Sequence, residues 1–334
     1  MARISFGAGT SHTPMLRLHW SEWEHRAAVD RASAALNLSD GRRMTYDALA
    51  AERGDRYADR AVPDVFKRQA QSCEEALDRL AEELAAASPD VIVIVGDDQG
   101  ELFSLANMPA VSIYYGNEIV TKGHPDIRSE PQWTQKMKRG YAMDTVHRFP
   151  AAPELALDVI AGLMARSVDV GAAGSVDQSG GAGFGHAFGF IIERLLGGRR
   201  VPVLPVLLNT YYPPNVMTSR RSFEVGRAIR QAIEDSPIDC KVAILASGGL
   251  SHFVVDETLD RQVLEGLRAG SGELLCSIPP AALQSGSSEI LNWVMAAGAV
   301  EHLLLKWTCF EPVYRTPAGT GVGTAFACWT PELP

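Results

Sequence analysis

Two apolar patterns recur along this chain, and they predict different elements. The first is a short run with no polar member, as in Val91-Ile92-Val93-Ile94-Val95, residues 201–208 and residues 242–246. Runs this short and this rich in β-branched side chains predict strands covered on both faces, as in a parallel sheet. Residues 4–8 are a further short strand candidate. In the second pattern, apolar residues return every three or four positions. Ala70, Cys73, Leu77, Leu80 and Leu84, with Glu74, Glu75, Arg79, Glu82 and Glu83 between them, predict a surface helix over 64–86 with one buried stripe. Helical stretches follow at 153–164, 188–196, 219–233, 259–267 and 289–299, and a glycine-rich turn at 319–323 leads into a last strand. Strands alternating with helices predict an α/β fold, a single domain with a mostly parallel central sheet flanked by helices. Such sheets take ligands at the carboxyl ends of their strands, so the active site is expected there.

The strand ends carry the chemistry. Past the run 242–246 the chain must turn at Ser247-Gly248-Gly249, which presents His252 beyond the strand end. Gly9-Thr10-Ser11-His12-Thr13-Pro14 repeats that arrangement after the first strand, and two such histidines suggest one shared site. The run 91–95 ends in Gly96-Asp97-Asp98-Gln99-Gly100-Glu101; two acids and an amide at the end of a buried strand are costly unless they bind something or cap a helix. Residues 201–208 end in Asn209-Thr210-Tyr211-Tyr212-Pro213-Pro214, with Arg220 and Arg221 just beyond. The glycine-rich stretch 171–189 lacks the G-K-[ST] of a phosphate loop and reads as a flexible loop delivering His186. Residues 104–150 read as irregular loops on the substrate side. Residues 16–63 read as an excursion of short helices and loops that covers a site or builds a subunit contact. Plain structural roles stand beside these: turn histidines at 12 and 252, turn formers at Asp98 and Gln99, and for Glu289 a first-turn position favoured by the helix dipole.

Composition then narrows the partners. With 31 basic against 40 acidic residues the formal charge is −9, and no basic cluster exceeds the pairs Arg199-Arg200 and Arg220-Arg221, which argues against nucleic acid. Five cysteines stand far apart without a C-x-x-C pair, as expected of thiols in a reducing compartment. No apolar run approaches the ~20 residues of a membrane span, and no signal peptide precedes the first strand, so a cytoplasmic protein without a membrane partner is expected.

Four motifs in order, T-S-H-T-P-M at 10–15, P-D-V-I-V-I-V-G-D-D-Q at 89–99, S-G-G-L-S-H-F at 247–253 and S-G-S-S-E-I-L-N-W-V-M at 285–295, resemble those of class III extradiol ring-cleavage dioxygenases. The likeness is to the protocatechuate 4,5-dioxygenase β-subunit and to gallate and 3-O-methylgallate dioxygenases, with residues 16–63 as an insertion. The resemblance implies a non-haem Fe(II) site of two histidines and a carboxylate, acting on a carboxylated catechol or gallate-like ring with O2. His12 matches the first metal histidine, Glu289 the carboxylate ligand and His252 the acid/base histidine. It further implies a homodimer or higher homo-oligomer.

At the second metal position the family carries N-D-H, where this chain has Asp97-Asp98-Gln99. Gln99 therefore aligns with a ligand. The set is completed by Gln99 or Asp98, or by His124 or His186 from a loop; His186 otherwise stands as a second catalytic histidine. Asp98, Tyr212 and Arg220 are expected on the substrate. A metal-assisted hydrolase or lyase of a related aromatic acid, or a non-catalytic binding protein of the same fold, are the rival readings.

Overall fold

The computed structural model describes residues 1–332. Its strands in chain order are β1 (Arg3–Thr10), β2 (Leu36–Asn37), β3 (Arg43–Met44), β4 (Val91–Asp97), β5 (Val111–Tyr114), β6 (Glu118–Val120) and β7 (Arg148–Pro150). They continue with β8 (Gly171–Ala173), β9 (Val203–Leu208), β10 (Lys241–Ser247), β11 (His252–Val254), β12 (Leu304–Tyr314) and β13 (Thr320–Thr330). Nine of them form one sheet in the order β11-β13-β1-β10-β4-β9-β5-β8, with β12 on β13; β2–β3 and β6–β7 are separate two-stranded ribbons.

The centre of the sheet is parallel: β1 pairs with β10, β10 with β4 and β4 with β9. Antiparallel pairs flank it, β13 on β1 at one side and β5 on β9 at the other. The unbroken apolar runs lie at this centre because both faces are covered. In β10, Val242, Ile244 and Ala246 face one core while Ala243 and Leu245 face the other; in β4, Val91, Val93 and Val95 divide from Ile92 and Ile94 in the same way. The first core is closed by helices Pro153–Ala165, Ser219–Glu234, Glu257–Ala269 and Ile290–Ala299, the second by Pro63–Ala87 and His186–Leu195. The expected helix over 64–86 is Pro63–Ala87, and Cys73, Leu77, Leu80 and Leu84 are its buried stripe.

Two regions differ from the sequence reading. Residues 104–150 are more ordered than loops: β5 joins the main sheet there, and helix Gln132–Arg139 follows. The glycine-rich stretch is also anchored, since β8 pairs with β5 and the helix begins at His186 itself. Strand β12 has no counterpart in the apolar pattern. Residues 16–63 contain short helices and the β2–β3 ribbon. All five cysteines are free, and among the described residues no helix is long and apolar enough to cross a membrane.

Candidate active site

Every functional side chain enters from the carboxyl end of a central strand or from the start of a helix. His12 follows β1, Asp97 ends β4, His186 opens helix His186–Leu195, and His252 begins β11 five residues past β10. Glu289 closes the short 3-10 turn Ser285–Glu289 that leads into helix Ile290–Ala299, every residue of which is buried. That helix is buried on all sides, with Asn292 donating to Asp97 Oδ1 and the Ser247 carbonyl, so it is held rigidly in the core and fixes its first residues. Close approach is needed here too. A Cβ at Gly286 would come 2.1 Å from His252 Cδ2, and one at Gly185 2.4 Å from the Glu101 carboxylate.

His12, His186 and Glu289 each offer one ligand atom, all within 4.8 Å of one another. The hydrogen bonds decide which imidazole nitrogens are free. Ser247 Oγ gives its proton to the Ala187 carbonyl (2.6 Å), so it accepts from His12 Nδ1–H (3.0 Å), and His12 Nε2 keeps its lone pair. His186 Nδ1 donates to Glu101 Oε1 at 2.7 Å, and Glu101 Oε2 accepts from the Gln99 backbone N–H at 2.6 Å. His186 therefore also turns Nε2 inward. A carboxylate on the far nitrogen is the usual way to orient a metal-ligating histidine.

His12 Nε2 lies 3.2 Å from Glu289 Oε2 without hydrogen-bond geometry, leaving a buried ring nitrogen with no partner. Two lone pairs facing one another at this depth are unfavourable unless a proton or cation stands between them. The residues present thus fit a metal ion. Glu289 Oε2 also accepts the Gly249 N–H at 2.7 Å, and Oε1 lies 3.3 Å from His252 Nε2. Burial works against the charge of Glu289, yet His252 and His12 hold its carboxyl well below the ordinary range. For His186 burial disfavours protonation, but Glu101 outweighs it and pushes the imidazole up to about 10.

His252 is fixed similarly. Its Nδ1–H donates to the Leu250 carbonyl at 2.8 Å, so Nε2 is the atom that exchanges a proton. Burial lowers its pKa, while Glu289 raises it, with a net displacement upward. The turn carrying His252 is fastened by Asp260, which accepts from Ser251 N (2.7 Å) and Ser251 Oγ (2.8 Å).

Asp260 has a testable consequence. Burial pushes its pKa from 3.8 to about 7. Between those values the unfolded chain loses a proton that the folded chain keeps. Stability therefore falls as pH rises from about 4 to about 7, by roughly 1.4 kcal/mol for each pH unit crossed, and then levels. Asp260→Asn, which still accepts a hydrogen bond but cannot ionise, is expected to flatten that fall in thermal melts between pH 4 and pH 8. An unchanged slope would mean that Asp260 is ionised in the fold.

The other expected site residues are placed as follows. Gln99 lines the site but presents its amide nitrogen, which donates to Asp97 Oδ2 at 2.8 Å and to Glu289 Oε1 at 3.3 Å; the residue whose donor atom converges with those of His12 and Glu289 is His186. Asp98 points away from the cavity and accepts from Leu102 N and Phe103 N, a turn-capping role, with burial raising its pKa to about 6. Tyr212 is one step removed, its hydroxyl donating to the Gln99 carbonyl at 2.9 Å, whereas Tyr211 lines the cavity. Arg220 is exposed on helix Ser219–Glu234 and lines no part of the cavity. His124 lines the cavity but does not join the ligand group.

That cavity, of roughly 300 Å³, contains His12, His186, His252 and Glu289 in its wall. Met137, Met143, Phe253 and Val322 give it apolar faces, and Arg26, Lys138 and Arg315 give it positive ones. Sequence reasoning missed Arg26, Arg315 and Glu101. For Glu101 a signal existed in the acidic stretch 97–101, but the two cavity arginines stand in segments with no periodic or motif signal.

Comparison with known proteins bears on the family of this chain. A gallate dioxygenase of Pseudomonas putida is 30% identical over 135 residues, a match covering 37% of this chain and 38% of that protein's length. The family model described as the catalytic LigB subunit of aromatic ring-opening dioxygenase matches residues 62–326, a span that holds His186, His252 and Glu289. With most of the chain matched, and with those three side chains meeting at one cavity, the protein belongs to the family of LigB-type aromatic ring-opening dioxygenase catalytic subunits.

Proposed function

We propose that this chain is a non-haem Fe(II)-dependent extradiol dioxygenase that opens a carboxylated catechol or gallate-like ring with O2. The observation that carries the reading is the convergence of two inward-facing imidazole Nε2 atoms and one carboxylate beside a fourth group, His252, in a cavity of the size that small ligands occupy. Two imidazoles and a carboxylate are the donor set of non-haem Fe(II) oxygenases, with positions left for substrate and oxygen. His12, His186 and Glu289 would hold the ion, which supplies the electron transfer that lets O2 react with a ring diol.

The chain's own residues do the rest. A diol must lose protons before it chelates a metal, and His252 Nε2 is positioned to take one and later return it. Met137, Met143 and Phe253 enclose the ring and exclude water. Gln99 holds Glu289 Oε1 through its amide N–H and so orients the carboxylate. The positive wall suits an anionic ring substituent.

The test is oxygen uptake by anaerobically purified, Fe(II)-reconstituted protein offered catechol, protocatechuate, gallate and 3-O-methylgallate, with ring-opened product followed by absorbance. One O2 consumed per ring, preferentially with a carboxylated substrate, is expected. Loss of the aromatic acid without oxygen uptake would favour the hydrolase or lyase reading, and binding without turnover the binding-protein reading.

A further inference from the structure

The positive wall of the cavity is not uniform. Arg315 is committed: its Nε and Nη2 meet Asp30 Oδ2 and Oδ1 at 2.7 and 3.1 Å in a buried bidentate pair, and Nη2 also reaches the Gly321 carbonyl at 3.3 Å. Lys138 has Glu130 Oε1 at 3.5 Å. Arg26 differs from both. It stands one helical turn before Asp30 on helix Glu24–Arg31, so Asp30 is its natural partner, yet both oxygens of that carboxylate are occupied by Arg315.

Among the described residues no carboxylate lies within ion-pair distance of Arg26, and its Nε is buried with no hydrogen-bond partner. A partly buried guanidinium of this kind is expensive, all the more so near a second arginine, unless something outside the chain supplies the missing negative charge. The cavity is where that partner would sit. A planar fork of N–H donors matches a carboxylate with two bonds, which a lysine in the same place does not do.

We propose that Arg26 is the specificity-determining residue that grips the ring carboxylate of the substrate, with the Asp30–Arg315 pair holding it available. This rests on the ring-cleavage reading above and names the group that selects the substrate class within it. Helix Glu24–Arg31 thereby becomes one wall of the site. The Asp30–Arg315 pair joins that helix to the segment just after β12, so the arginine is presented by a fixed support.

The experiment compares three probes by calorimetric titration, under argon, into the Fe(II)-loaded protein. Gallate carries the diol and the carboxylate, pyrogallol only the hydroxyls, and benzoate only the carboxylate. In Arg26→Met, gallate and benzoate affinities are expected to fall about 10- to 100-fold while pyrogallol affinity stays unchanged, the range for losing a charge-assisted bidentate contact. Arg26→Lys is expected to recover part of the loss, and matching melting curves of the variants check the fold. An equal loss for gallate and pyrogallol would overturn the proposal, since Arg26 would then shape the cavity rather than read the carboxylate. Unchanged affinities for all three would overturn it as well. Failure of the ring-cleavage reading has a separate signature in the parent protein: benzoate binding that depends on Arg26 without any oxygen uptake leaves the anion site standing and removes the dioxygenase.

Discussion

Replacing His186 by alanine is expected to strip the site of iron and to lower ring cleavage about a thousandfold or more, roughly 4 kcal/mol at 1.4 kcal/mol per decade. The geometry makes this the decisive substitution. His186 carries its Nδ1 proton to Glu101 and turns Nε2 toward His12 and Glu289, whose ligand atoms lie within 4.8 Å. Removing the ring leaves two donors, and it also leaves the Glu101 carboxylate buried without its partner. Glu101→Gln is expected to cost less, about 10- to 100-fold in metal affinity, because it loosens the orientation of the histidine without deleting it.

Gln99→Ala supplies the contrast. Its amide nitrogen donates to Asp97 and Glu289, so the variant is expected to keep iron at near-parent stoichiometry and to lose activity modestly. Elemental analysis of anaerobically purified protein reads all three variants. Iron retained in His186→Ala and lost in Gln99→Ala would make the amide the ligand and return the site to the alignment expected from the sequence.

That contrast marks where the sequence can be read and where it cannot. β4 and β10 are legible because nothing polar interrupts their apolar runs, and His12 and His252 because each stands just past the end of a strand, His252 after the Gly248-Gly249 turn and His12 directly beyond β1, which contains Gly9. β12 is hidden for a physical reason: it pairs only with β13, so it tolerates Lys306, Thr308, Glu311 and Pro312, which blur the strand pattern. β5 and β8 are too short to signal alone and exist because β9 offers an edge to β5 and β5 one to β8.

His186 is recognisable as a site residue, but its place beside Glu289 depends on a path that glycine-rich residues 171–185 do not encode locally. The signals present are Gly185-His186 opening the apolar helical stretch to Leu195 and a second acid, Glu101, shortly after the strand end. The two cavity arginines are illegible for a different reason. Arg26 and Arg315 lie 289 positions apart and acquire meaning only through Asp30, which satisfies one and leaves the other.

His252→Ala is expected to separate chemistry from metal binding. His252 is not in the ligand group, so iron content should stay near the parent value while kcat falls about 10²- to 10⁴-fold, the range for losing a positioned general acid/base. The pH profile adds a second reading. A base must be unprotonated to accept the diol proton, so activity falls as pH drops through the pKa of His252. Burial pulls that value down but Glu289 more than offsets it, which moves the acid limb toward higher pH than for an ordinary imidazole. In His252→Ala that limb should vanish, leaving a low and flatter profile. If the limb persists with iron retained, another group carries the proton, and His124 in the same wall is the next to change. If iron is lost along with activity, the 3.3 Å contact between His252 Nε2 and Glu289 Oε1 holds the carboxylate ligand in place, and the histidine acts by positioning.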